Sequence, residues 1–269
     1  MNRIRKVFYL FTMFVASDAT WAELPENEHP LEVEADQIEC QTKDNRCVAR
    51  GRAKAVKGDL VLRAQEIEAV STKNNDSKHS LRQVIAKKNV KLSSLTEKAK
   101  AEEAHYCADQ DIMQLRGHEV IIETVDGHLL TARKLIEYDR RNKRIDAKEG
   151  VVIQSDKGTI FADAMTAFLV DGEKSGNRIQ LQKVQAEGNV IIRTPQELLK
   201  APKAIYYVEE KRAEAMGGVI LFQNGHFAAG LKATANFETG KCALESEHSQ
   251  NPPQRVKVIM DATQQKAQK

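Results

Sequence analysis

Aromatic side chains are scarce, 5% of 269 residues, and the single tryptophan, Trp21, lies close to the amino terminus. A core of ordinary thickness is hard to fill at that level, but a thin stacked sheet of Val, Ile, Leu and Ala is not. Long apolar runs are also missing. The stretch Val7 to Ala16 holds about 10 residues, and crossing a hydrocarbon core takes about 20. The chain has no Walker loop, no Gly-x-Ser-x-Gly and no Gly-x-Gly-x-x-Gly, so nucleotide binding and elbow-type hydrolysis lose their usual supports. Seven histidines are scattered without a spacing that would put two imidazoles on one metal ion, and they read as surface or turn residues. Paired carboxylates such as Glu102-Glu103 and Glu209-Glu210 fall on charged turns or wet faces, where nothing raises a carboxyl pKa for acid catalysis. No enzyme, metal or cofactor is expected.

The amino terminus itself is informative. Arg3, Arg5 and Lys6 precede the apolar run, and small residues lead to Thr20-Trp21-Ala22, the layout of a secretory signal cleaved after Ala22, with Ala19 as the competing site. Removing residues 1–22 takes away three cations and Asp18, so the formal charge falls from +3 to +1. A nearly neutral mature protein has no global basic field for nucleic acid. A linker over residues 23–30 then leads into the main domain, and a polar tail over 245–269, with Pro252-Pro253, reads as disordered apart from a short strand near Arg255 to Met260.

Between those ends the chain repeats itself. Openings at Ala35, Ala64, Ala101, Ala132, Ala162, Ala201 and Gly230 are spaced by 29, 37, 31, 30, 39 and 29 residues, and the two long intervals carry polar inserts, Ser71 to Ser80 and Asp171 to Asn177. All but the last are answered at Gly51, Lys88, Gly117, Gly150, Gly188 and Gly217, most clearly in Gly150-Val-Val, Gly188-Asn-Val and Gly217-Gly-Val. Such a period implies stacked units, none able to bury its apolar face alone, over residues 31–244.

Within a copy the apolar residues alternate, as in Ala49, Gly51, Ala53 and Ala55 against Arg50, Arg52 and Lys54, which marks strands with one dry and one wet face. Turn signals occur about twice per copy, among them Lys43-Asp44-Asn45, Gly58-Asp59, Asp126-Gly127, Arg141-Asn142-Lys143, Lys157-Gly158 and Asn224-Gly225, giving on the order of 13 short antiparallel strands. Ala101 to Ala108 and Glu197 to Met216 contain good helix formers, but Pro202 interrupts the second and both occupy a strand phase of the repeat. The expected fold is all-β, an elongated sheet coiled or folded on itself.

The inward apolar positions form the candidate site: Val33, Ile38 and Ile67, then Val90, Leu92, Val120 and Ile122, then Ile136, Tyr138, Val152 and Met165, and finally Val190, Ile192, Tyr206, Val219 and Leu221. They either fill a dry core or line a groove. Arg50, Arg52 and Lys54, three cations on one strand, offer a phosphate grip or a solvated edge. Cys40 and Cys47 flank the turn from Gln41 to Arg46, where facing residues of a hairpin can meet in a disulfide if the chain is exported; otherwise they are small, half-buried thiols like Cys107 and Cys242.

The export signal, Val33-Glu-Ala-Asp, Val48-Ala-Arg-Gly, Lys57-Gly-Asp-Leu-Val-Leu-Arg-Ala, Ala186-Glu-Gly-Asn-Val and Gly230-Leu-Lys-Ala together resemble the OstA-like family of lipopolysaccharide-transport proteins over about Leu31 to Leu244. Lys88 in place of Gly, and the extra residue between Gly117 and Val120, depart from its pattern. The resemblance implies a β-jellyroll or β-taco open at both ends, located in the periplasm, whose groove shields lipid A chains of lipopolysaccharide. It also implies bridging of the two membranes through edge strands near Leu31 to Cys40 and Phe227 to Leu244, which would meet an LptC-type inner-membrane partner, an LptD-type outer-membrane partner, or further copies head to tail. The alternatives are a membrane-anchored LptC-type subunit, which keeps a longer N-terminal span, and a right-handed β-helix that binds or cleaves polysaccharide.

Overall fold

The computed structural model describes residues 31–41, 43–73, 79–125, 127–156, 158–171, 179–195, 197–223, 226–236, 238–239, 241–246 and 255–259. The expected leader, the linker, the Asn224-Gly225 turn and most of the polar tail lie outside them. The described chain divides into two compact units. The N-terminal unit runs to Val151 and includes Phe168–Gln180; the C-terminal unit comprises Val152–Ala167 and the residues from Leu181 onward.

In the N-terminal unit, β1 (Glu32–Glu34) and β2 (Gln37–Gln41) both pair with β3 (Arg46–Lys57), followed by β4 (Leu60–Lys73), β5 (His79–Ser93) and β6 (Glu97–Cys107) in antiparallel succession. β6 then pairs with two short pieces, β7 (Ile112–Arg116) and β8 (Val120–Thr124), which pair in turn with β10 (Leu135–Asp139) and β9 (Leu129–Ala132); β10 leads into β11 (Arg144–Ser155). The later strands are β12 (Gly158–Asp171) and β13 (Ile179–Arg193), then β14 (Glu197–Tyr207), β15 (Arg212–Gln223) and β16 (His226–Asn236). From β13 to β16 these form a second antiparallel meander, and β16 ends on the short pieces β17 (Cys242–Glu245) and β18 (Lys257–Ile259). Four strands are thus broken in two, and 18 segments make 14 strands, against the about 13 expected. Antiparallel pairing throughout these registers rules out the parallel β-helix; of the two stretches of helix formers, the first lies in β6 and the second runs through β14 into β15.

The answering residues of the repeat mark where the long strands bend. Register shifts fall at Arg50/Ala53, Lys87/Val90, Glu187/Val190 and Met216/Val219, and in each the pair that begins at Gly51, Lys88, Gly188 or Gly217 has positive φ. Such a bulge adds an unpaired residue and kinks the strand. At Gly188, φ is +75° and a β-carbon would overlap the Asp163 carboxylate, so glycine serves both backbone and packing. Lys88 adopts φ 63° in the same role without glycine's freedom. Pro202, which has no N–H to give a ladder, lies on β14 between Lys200 and Lys203, opposite the bulges of β13 and β15 where the ladder is already interrupted.

On either side of the bend the inward residues align in rows. Ala186, Ala204, Ala215 and Ala233 face one another across β13 to β16, and Val190 and Val219 meet Ala201 and Gly230 past the bend. In the N-terminal unit Ala86 and Ala104 lie in one row, with Val90 opposite Ala101 and Val120 opposite Ala132 in the next. Alanine is a poor strand former in isolation, but at these places it lets facing side chains approach closely, and context overrides propensity.

Candidate functional site

The inward faces are apolar from bend to strand end, and they are closed. Val120, Val151, Ile192, Leu199 and Val219 have no accessible surface, and Val90 and Val190 almost none. Of the positions singled out in the sequence, Ile67, Val90, Val120, Ile122, Ile136, Tyr138, Met165, Val190, Ile192, Tyr206, Val219 and Leu221 are buried. Leu92 is half-buried, and Val33 and Ile38 are exposed because β1 and β2 are short terminal strands. Val152 is only half-buried. Val151 and Ile153 take the inward positions, since in this copy the positive-φ pair is Glu149-Gly150 and the face therefore switches one residue early.

Polar groups gather at the strand ends of this interior. Glu97, His128 and Glu197 occupy one phase of the repeat, four residues before Ala101, Ala132 and Ala201, and share their inward parity. Burial pushes the Glu97 carboxyl up from its ordinary 4.5 to about 7. The backbone around it is tied down, with the Glu97 amide donating to Ser94 Oγ at 3.1 Å and the Ser94 amide donating to the Glu97 carbonyl at 2.9 Å. Glu197 is 4% exposed and its carboxylate accepts from the Gln223 side-chain amide. At the far end of the bent strands Tyr138 and Tyr206 are buried, and burial pushes the Tyr206 hydroxyl up to about 12. Sequence reasoning passed over Glu97, His128 and Glu197. Their common phase was the available signal, hidden because each residue in isolation reads as polar and exposed.

The cations expected to grip phosphate are already engaged. Arg50 donates to Glu39 at 3.0 Å and to Glu66 at 3.2 Å, Arg52 holds Asp36 at 2.5 Å, and Lys54 lies 3.1 Å from Glu34. The Arg52 guanidinium holds the Asp36 carboxyl below its ordinary range. The bulge between Arg50 and Ala53 also breaks the single face that strict alternation would have given them. Cys40 and Cys47 face each other across β2 and β3, 4.1 Å apart at Cα, and are joined as a disulfide; Cys107 and Cys242 are free thiols. Among the described residues no group of His, Cys, Asp and Glu could hold a metal ion, and no helix is long and apolar enough to cross a membrane.

Residues 32–136, well under half of the chain, match the family model described as LptA/(LptD N-terminal domain) LPS transport protein. That description is of a transport protein rather than an enzyme. No curated protein matches the chain significantly. Among solved structures the chain is similar to the crystal structure of LptH, the LptA homologous periplasmic component of the lipopolysaccharide transport device from Pseudomonas aeruginosa. The likeness covers 88% of this chain and 98% of that one at 11% identity, with a TM-score of 0.21.

Proposed function

We propose that this protein is a non-enzymatic periplasmic carrier of lipopolysaccharide of the LptA type, which shields lipid A acyl chains between the inner and outer membranes. The observation that carries this reading is the apolar inward face, which continues from strand to strand in each unit without a charged side chain between bend and rim. An acyl chain in water costs about 0.8 kcal/mol per methylene, and a face of this kind removes that cost. The match over residues 32–136 to a lipopolysaccharide-transport family supports the cargo.

Because the interior is filled by its own side chains, loading requires the inward faces to part. The exchange of Val, Ile and Ala contacts for methylene contacts is nearly neutral in transfer energy, so the barrier lies in the opening and not in the final state. The terminal strands β1, β2, β17 and β18 are the proposed sites of end-to-end association with LptC-type and LptD-type partners or with further copies, by strand addition. A photo-crosslinker at Ile136 or Val190 is expected to capture lipopolysaccharide in cells, and one at Arg144 is not; equal labelling at all three removes the assignment. The rival LptC-type reading keeps its N-terminal segment, so a mature protein that begins near Glu23 favours the carrier and an intact terminus favours the rival.

A further inference from the structure

The outer face of the N-terminal unit carries a feature that cargo shielding does not use. In the half of the sheet beyond the bend, Lys54 lies opposite Arg63, Arg63 opposite Lys91, and Lys91 opposite Lys100, so four cations stand in one row across four adjacent strands. The inward neighbours Ala53, Ala64, Val90 and Ala101 are buried, which fixes the row as outward. Adjacent strands lie about 4.8 Å apart, so the row spans about 14 Å, with each cation inside the Debye length of the next. Lys54 is neutralised by Glu34, but Arg63, Lys91 and Lys100 have no ion-pair partner among the described residues. Lys98 adds a fifth cation one step along the same face, opposite Glu123. The other carboxylates on these strands and turns are Glu32 on β1, opposite Val56, Asp59 in the β3–β4 turn, the inward-facing Glu97, and Glu102 and Glu103 at the bend of β6; none of them lies opposite Arg63, Lys91 or Lys100. Like charges directly opposite in a sheet are destabilising, and a row of them is a standing cost that an anionic partner would relieve.

The margin of the same face identifies that partner. Leu95 is 73% exposed and Val125 69%, more than the other large apolar residues of the described chain. They sit on the turns that follow β5 and β8, and the Val125 amide donates to the Thr96 carbonyl at 2.9 Å, which places the two tips side by side. A soluble polyanion gives no reason for exposed Leu and Val beside lysines. A lipid surface does, because apolar tips enter the acyl boundary while cations meet the phosphates. All three unpaired cations are exposed on an open sheet, so nothing encloses a small ligand. We propose that this face, with Arg63, Lys91 and Lys100 at its centre and Leu95 and Val125 at its margin, docks on an anionic lipid surface. The proposal concerns the outer side of the sheet and does not depend on cargo in the interior.

Co-sedimentation of the full chain with phosphatidylcholine vesicles, with and without phosphatidylglycerol, tests it. Wild type is expected to prefer the anionic vesicles in a salt-sensitive way, and Arg63→Glu/Lys91→Glu/Lys100→Glu to lose about 100-fold in affinity, with Arg63→Lys/Lys91→Arg/Lys100→Arg retaining it. Leu95→Ser/Val125→Ser is expected to lose about tenfold by a route that salt does not affect. All substitutions are at exposed sites, so unchanged circular dichroism is expected, and any membrane affinity elsewhere in the chain is common to every variant. Equal binding of wild type and the charge-reversed variant to anionic vesicles overturns the proposal. So does tight binding of inorganic phosphate or duplex DNA to the row, combined with no effect of Leu95→Ser/Val125→Ser. Crosslinking of lipopolysaccharide at Ile136 in the charge-reversed variant reports separately on the carrier reading.

Discussion

The two units have interiors of the same kind and exteriors of two different kinds. At matching places in the repeat the N-terminal unit presents Lys54, Arg63, Lys91 and Lys100 outward, and the C-terminal unit presents Ile191, Lys200, Ile220 and Ala229. Next along the C-terminal face come Leu198, Phe222, Phe227 and Ile259, with Phe222 and Phe227 in edge-to-face contact at 5.2 Å. The inward residues beside these, Ala53, Ala64, Val90 and Ala101 against Val190, Ala201, Val219 and Gly230, are apolar or small in both. Burial holds the inner row to a narrow set of side chains, because a charge there would lose its water. The outer row is under no such restraint, and so it is where the units acquire separate chemistry.

The strongest way to break this equivalence of interiors is to put a charge into each. Val120→Asp and Val219→Asp both place a carboxylate at a position with no exposure, and each is expected to cost more than about 4 kcal/mol, read by urea denaturation; tolerance of one and not the other would show that the interiors differ. Glu97→Gln is next. Since burial raises the folded-state pKa from 4.5 to about 7, the folded protein binds more protons than the unfolded chain between those values, and wild-type stability falls as pH climbs through that window. The variant is therefore expected to match wild type near pH 4 and to gain up to about 3 kcal/mol by pH 8, measured as the difference between two stability-versus-pH curves. Removal of the Cys40–Cys47 bridge by double serine substitution loosens only the N-terminal unit, by about 2 kcal/mol for so short a loop, and reduction should then leave the variant's unfolding curve unchanged. The smallest effects are at the bends: Lys88→Gly is expected to stabilise by about 1 kcal/mol by relieving a left-handed lysine, and Gly188→Ala to destabilise by at least as much, both seen as shifts in thermal midpoint.

Much of this architecture was legible in the chain. Alternation gave the strands, and the Gly-containing answers of the repeat, with Lys88 standing in for one glycine, gave the period but not the bends that the structure shows at those places. What escaped depended on single-residue steps that a repeat does not print. In the copy answered by Gly150 the bulge begins at Glu149, so Val151 and not Val152 turns inward. The break at Gly117 divides a strand into β7 and β8, which alternation would run together. Val33 and Ile38 share the apolar phase yet stay exposed, because a terminal strand of three or five residues lacks the covering that neighbours give to the rest. The partners of Arg50 and Arg52 come from strands whose register is fixed only on folding, and so their neutralisation could not be read from their own strand. The cation row was invisible for the same reason, since successive members are separated in sequence by up to 28 residues and meet only through pairing.

Most copies bring their own crease. Where left-handed pairs such as Gly51-Arg52, Gly188-Asn189 and Gly217-Gly218 recur, the instruction to fold over is local, and a newly duplicated copy would arrive already bent to match its neighbours. Evolution can therefore lengthen or shorten this protein in whole increments of about 30 residues without redesigning what remains. The number of strands in a molecule of this kind is a matter of how many times one phrase is said.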